Sequence, residues 1–143
     1  VAALETFLPY VDNWATCDIT ACGMKTLGRD PAAVLPRIDA WLASGQTYIV
    51  RFGVVTLLAH YLDAQFDPCR LDRLTALPSG EYYIDMAVAW AFSVALVKQF
   101  DRTLPYFTER RLDRWVHNKA LQKGRESLRI DAKRKALLQK LKY

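Results

Sequence analysis

Apolar side chains recur at helical spacing along almost the whole chain, and no segment alternates apolar and polar residues as a half-buried strand would. Asp30-Pro31 and Asp67-Pro68 each join an N-capping side chain to a proline in the first helical position. Gly28, Gly45 and Gly80 fall between the periodic segments. These signals predict helices near 13–26, 30–44, 47–63, 68–77, 81–99, 102–109, 113–128 and 131–141, and AALETFLPY ahead of them reads as the tail of another. The expected fold class is all-α.

The pattern also repeats. Moving TYIVRFGVVTLLAHYL, which starts at Thr47, by 34 positions lays it over EYYIDMAVAWAFSVAL, matching Tyr48 with Tyr82, Val54 with Val88 and Leu62 with Leu96. A further 34 positions reach WVHNKALQKGRESLRI, and a backward shift sets Trp14 under Tyr48. Longer inner helices then alternate with shorter outer ones opening at Asp30, Asp67 and Asp101, which predicts an α-solenoid whose units stack around a concave face. Equivalent inner helices would bring Trp14 and Asp18, Tyr48 and Arg51, Tyr83, Asp85 and Trp90, and His117, Asn118, Lys119 and Lys123 onto that one face.

Composition removes several classes of function. A chain of 143 residues with 52% apolar content is sized for one domain spanning 1–143 with a substantial core. Its longest apolar stretches, Phe52 to Ala59 and Met86 to Val97, fall short of a membrane span, and VAALETFLPY carries no secretory-signal pattern. A cytoplasmic protein with no membrane partner is the default expectation. Cys17, Cys22 and Cys69 lack CxxC spacing and read as reduced structural thiols. His60 and His117 have no companions for a metal set, so no metal is expected.

Charge changes the picture more than composition does. Residues 110–143 hold 12 Lys and Arg against three acids, a net of +9, while the remainder of the chain is at −4. Such polarity points to a polyanion, with nucleic acid first among candidates. A solvated basic helix over 130–143 that simply packs through Ala136, Leu137 and Leu141 is the plainer alternative.

The candidate chemistry is densest in VDNWATCD. Trp14 and Asp18 share a helix face, and an indole beside a carboxylate suits a flat cationic group such as an alkylated purine. Arg51 interrupts the apolar run YIVRFGVV. A buried arginine must face a groove or a partner, and Asp18 and Asp85 are the candidate ion-pair partners. Trp90 is divided between core and cleft on pattern alone, whereas Trp41 and Trp115 read as packing residues.

VDNWATCD, the Arg in YIVRFGVVTLL, EYYIDMAVAW and HNKALQKGRES together resemble the bacterial DNA alkylation repair glycosylases built from HEAT-like helical repeats, over about Leu8 to Arg129. The resemblance implies that Asp18 is the essential carboxylate, that Trp14 and Trp90 form an aromatic cleft around the lesion nucleotide, and that Arg51 holds DNA backbone nearby. Lys119, Lys123 and Arg125 would add backbone contacts from the basic segment. The implied partner is double-stranded DNA carrying alkylated bases, and the implied reaction is hydrolytic excision of N3- or N7-alkylpurines without a cofactor. A non-catalytic module binding nucleic acid or protein through the same face is the alternative, and a pure protein scaffold a third. Members of that family generally carry further helical units ahead of the DNW motif. The chain is therefore expected to be the C-terminal part of a longer architecture, with self-association through the open amino-terminal end. Asp85 stands where an uncharged polar residue is expected, so it would repel phosphate or pair with Arg51.

Overall fold

The computed structural model describes residues 1–143 and is all-α, with nine α-helices and no strand. They are α1 (Ala2–Phe7), α2 (Trp14–Gly23), α3 (Pro31–Leu42), α4 (Thr47–His60), α5 (Pro68–Thr75), α6 (Tyr82–Lys98), α7 (Phe100–Thr108), α8 (Arg114–Glu126) and α9 (Ala132–Lys140), with single 3-10 turns at Leu8–Tyr10 and Lys25–Gly28. The starts follow from local chemistry. Side-chain oxygens of Asn13, Asp30, Asp67, Glu81, Asp113 and Asp131 each accept a backbone N–H that the first turn of the following helix leaves free. Pro31 and Pro68 occupy the first helical position, where no N–H is needed. Asp101 is the exception. The helix expected to open there starts at Phe100, behind a Gln99 that makes no side-chain cap, and Asp101 lies inside its first turn.

Helices α2, α4, α6 and α8 lie side by side in that order, each packed on the next. In addition α3 packs on α4, α7 on α6 and α9 on α8. The offset of the sequence match returns as the offset between bonded side chains. Arg73 donates to Asp39 and Tyr106 to Asp72, the Tyr61 hydroxyl donates to the Leu27 carbonyl, and Ser79 donates to Asp113, every pair 34 residues apart. Chain positions one repeat apart are thus neighbours in space.

The core is one continuous cluster running from Leu4 in α1 to Leu138 in α9. Trp41 is buried in it with its ring edge-on to Phe52, as expected of a packing residue. Gly53 lets α3 and α4 close tightly, because a Cβ there would stand 3.0 Å from a Leu42 methyl. No helix is long and apolar enough to cross a membrane.

Candidate active site

Arg51 sits in the second turn of α4, flanked by buried residues on both sides, and is only 7% exposed. Its guanidinium bridges from α4 to both neighbouring helices, α2 and α6. Nε donates to Asp18 Oδ1 at 2.9 Å and Nη2 to Asp18 Oδ2 at 2.7 Å, while Nη1 donates to the Tyr83 carbonyl at 2.7 Å. A fork-to-fork pair of this kind fixes a carboxylate in position and in plane, and charge-assisted bonds are about twice as strong as neutral ones. Burial works against the charged guanidinium, but the hydrogen bonds to Asp18 and the charge of Asp18 outweigh it and raise its pKa. Of the two partners open to Arg51 on the sequence, the structure takes Asp18.

Asp18 itself keeps an edge toward solvent, its side chain being 13% exposed. Arg51 occupies one lone-pair direction on each oxygen, which leaves acceptor capacity on both. Trp14, the first residue of α2 and one turn before Asp18 on the same helix face, is 54% exposed. Asn13 positions both by capping α2 through the Thr16 N–H at 2.8 Å. Beneath them Cys17 is fully buried and donates its S–H to the Tyr48 carbonyl. Burial first, and the neighbouring Asp18 next, push its thiol up to about 12, so it is an inert packing group, as expected.

An aromatic row leads away from this corner. Tyr48 in α4 lies 5.8 Å from Tyr83 by ring centroids, Tyr83 lies 5.3 Å from Tyr82, and Tyr82 lies 6.1 Å from Trp115 at the start of α8. Trp115 is 41% exposed and carries the Lys119 ammonium over its ring, which corrects its reading as a packing residue. Trp90, two turns beyond Tyr83 on the same stripe of α6, is half-buried and packed against the core.

Three other expectations need revision. His117 does not face outward with Lys119. It is fully buried, its Nε2 bonded to the Leu141 carbonyl at 2.7 Å, and burial lowers its pKa. Asp85 does not pair with Arg51, but accepts the Gly80 N–H at 2.9 Å across the turn that precedes α6. The guanidinium expected to grip backbone phosphate is turned inward onto Asp18 and Tyr83. Lys119 and Arg125 line one open groove on α8, and Lys123 lies on the same helix outside that groove. His60 is a packed residue, as expected, with Nε2 against the Ala21 carbonyl at the end of α2. No cluster of His, Cys, Asp and Glu is arranged to hold a metal ion.

What fold and site define is an all-helical protein with a buried guanidinium clamping one carboxylate one helical turn from an exposed indole, and with a basic carboxy-terminal segment further along the helix row. Residues 1–123 match the family model described as DNA alkylation repair enzyme, and the chain belongs to that family. No curated protein and no solved structure matches it.

Proposed function

We propose that this chain folds as a HEAT-like solenoid and excises cationic N3- or N7-alkylated purines from double-stranded DNA by hydrolysis of the N-glycosidic bond. The observation that carries the reading is the Asp18 carboxylate, held through both oxygens by Arg51 one helical turn from the exposed Trp14, in a member of a DNA alkylation repair family.

The chemistry asks for little more. Alkylation at N3 or N7 places a positive charge on the purine and weakens its bond to the deoxyribose. As that bond breaks, its electron pair neutralises the departing base and positive charge develops on the sugar. A carboxylate already fixed in place stabilises that charge without having to reorganise, which is the main source of catalysis at such sites. Water then adds to the anomeric carbon and gives up a proton. Trp14, with Trp90 further along α6, supplies aromatic surface for the cationic nucleotide. Arg51 acts through Asp18 as a positioning residue, holding both oxygens so that the remaining lone pairs point outward. Lys119, Lys123 and Arg125 contact the DNA backbone.

The test is direct. Incubation of the purified chain with a duplex treated with a methylating agent is expected to liberate 3-methyladenine or 7-methylguanine faster than spontaneous depurination, read by chromatography of the free base. Tight duplex binding with no release above the spontaneous rate would contradict the reading.

A further inference from the structure

The main concentration of free cations lies away from Asp18, between α8 and the last residues of the chain. Arg114, Lys119, Arg125 and Lys142 line one open groove with Trp115, and Asp113 is its single acid. None of the four cations takes part in a salt bridge. Four cations gathered around one carboxylate still repel one another, and an anion laid among them removes that repulsion.

The groove is completed by residues outside the stretch that matches the family model, which ends at residue 123. Helix α9 is anchored through the fully buried Leu138. Beyond it the chain is fastened on either side of Lys142: the Leu141 carbonyl is bonded to His117 Nε2 at 2.7 Å, and the Tyr143 N–H donates to Asn118 Oδ1 at 2.9 Å. The Tyr143 ring stands edge-on to His117 at 4.7 Å and lies under the Arg110 guanidinium at 4.0 Å. Lys142 is thereby held over α8 on a fixed stretch of backbone.

We infer that this groove is a second DNA contact, taking the phosphodiester backbone of a strand flanking the alkylated nucleotide, with the exposed edge of Trp115 packed on a deoxyribose. The row from Tyr48 through Tyr83 and Tyr82 to Trp115 joins the Asp18 corner to the groove without a break, so one strand running along that row meets both. The inference rests on the reading of DNA as the ligand, but not on base excision.

The experiment titrates a labelled, unmodified duplex over a range of salt concentrations, with circular dichroism confirming that each variant is folded. Lys142→Gln and Arg125→Gln are each expected to weaken binding several-fold and to reduce the slope of log affinity against log salt by about one. Asn118→Ala, which removes the acceptor that fastens the Tyr143 N–H beside Lys142, is expected to weaken binding in the same direction as Lys142→Gln. Arg73→Gln, on the outer helix α5 and paired with Asp39, removes the same charge elsewhere and is expected to leave affinity and slope unchanged. The proposal is overturned if the Lys142→Gln, Arg125→Gln double variant binds with the wild-type slope, or if Arg73→Gln loses as much. It is equally overturned if polyglutamate competes as well as duplex. Base release from alkylated duplex is scored separately. Wild-type chain that binds with these slopes but frees no base would remove the glycosylase reading and leave the groove standing.

Discussion

Arg51 in α4 and Asp85 in α6 stand 34 residues apart, so they hold the same position in successive helical units, and both are buried, 7% and 8% exposed. Their surroundings are opposite in kind. Each nitrogen of the Arg51 guanidinium makes one hydrogen bond, to two carboxylate oxygens and a carbonyl. Asp85 accepts one N–H, from Gly80, whose φ of 117° is a conformation that favours glycine. Burial raises the Asp85 pKa, the Gly80 bond opposes this, and Asp113 and Glu81 add to the rise. One unit has built a fixed ion pair with an edge to solvent, and the next has used a charged side chain to fasten a turn. The repeat thus supplies equivalent positions, and the neighbours at each decide whether the charge is available for chemistry.

Replacing one partner of the ion pair is the most damaging way to break this contrast. Arg51→Met leaves the Asp18 carboxylate without its counter-charge and is expected to cost about 3 kcal/mol of unfolding free energy, read by urea titration, together with base release. The double variant Asp18→Leu, Arg51→Met restores apolar contact on both sides and is expected to return to within about 1 kcal/mol of wild type while remaining inactive. That result would separate the pair's part in function from its part in stability.

Arg51→Lys keeps the charge but loses the fork that matches both oxygens, and an intermediate loss of about 1–2 kcal/mol is expected. Asp85→Asn keeps an acceptor for Gly80 and removes a strained charge, so its effect at neutral pH is expected to stay within about 1 kcal/mol. Its signature is in the pH dependence. Because the folded state holds the Asp85 proton more tightly than the unfolded chain does, stability falls as pH rises from the ordinary carboxylate range through the raised value, and Asp85→Asn removes that fall.

His117 provides the opposite sign in a higher window. Burial, then Arg110, hold its pKa down against the bond to Leu141, so the unfolded chain takes up the proton first. Stability therefore falls as pH drops below about 6.5, the ordinary imidazole value, toward the lowered one. His117→Gln, which still reaches the Leu141 carbonyl as a donor, is expected to flatten that slope in a pH series of thermal melts.

Much of this was legible along the chain because local rules govern it. Helix existence followed from 3.6-residue periodicity and from capping pairs such as Asp30-Pro31 and Asp67-Pro68, and the 34-residue offset came from matching whole helices. Asp101 misled because a carboxylate is as favourable inside a first turn as at the cap before it. The Arg51 partner was narrowed to two acids by the cost of burying a lone guanidinium, but choosing between them needed the seam of α2 against α4. His117 and Trp115 show where pattern runs out. Two residues apart on α8, one faces inward to be covered by Leu141 and Tyr143 from far along the chain, and the other stays open. Nothing near His117 in sequence announces that cover. Likewise Lys142 joins the groove because the residues on either side of it are fastened to His117 and Asn118.

The central claim is that the fixed Asp18 carboxylate stabilises charge on the sugar as an alkylated purine leaves. Single-turnover release of 7-methylguanine from a methylated duplex, at protein concentrations where wild type and Asp18→Asn are both fully bound, tests it most directly. The expected result is release well above the spontaneous rate for wild type and none above it for Asp18→Asn, with duplex affinity retained or increased. Release by Asp18→Asn at the wild-type rate would contradict the claim.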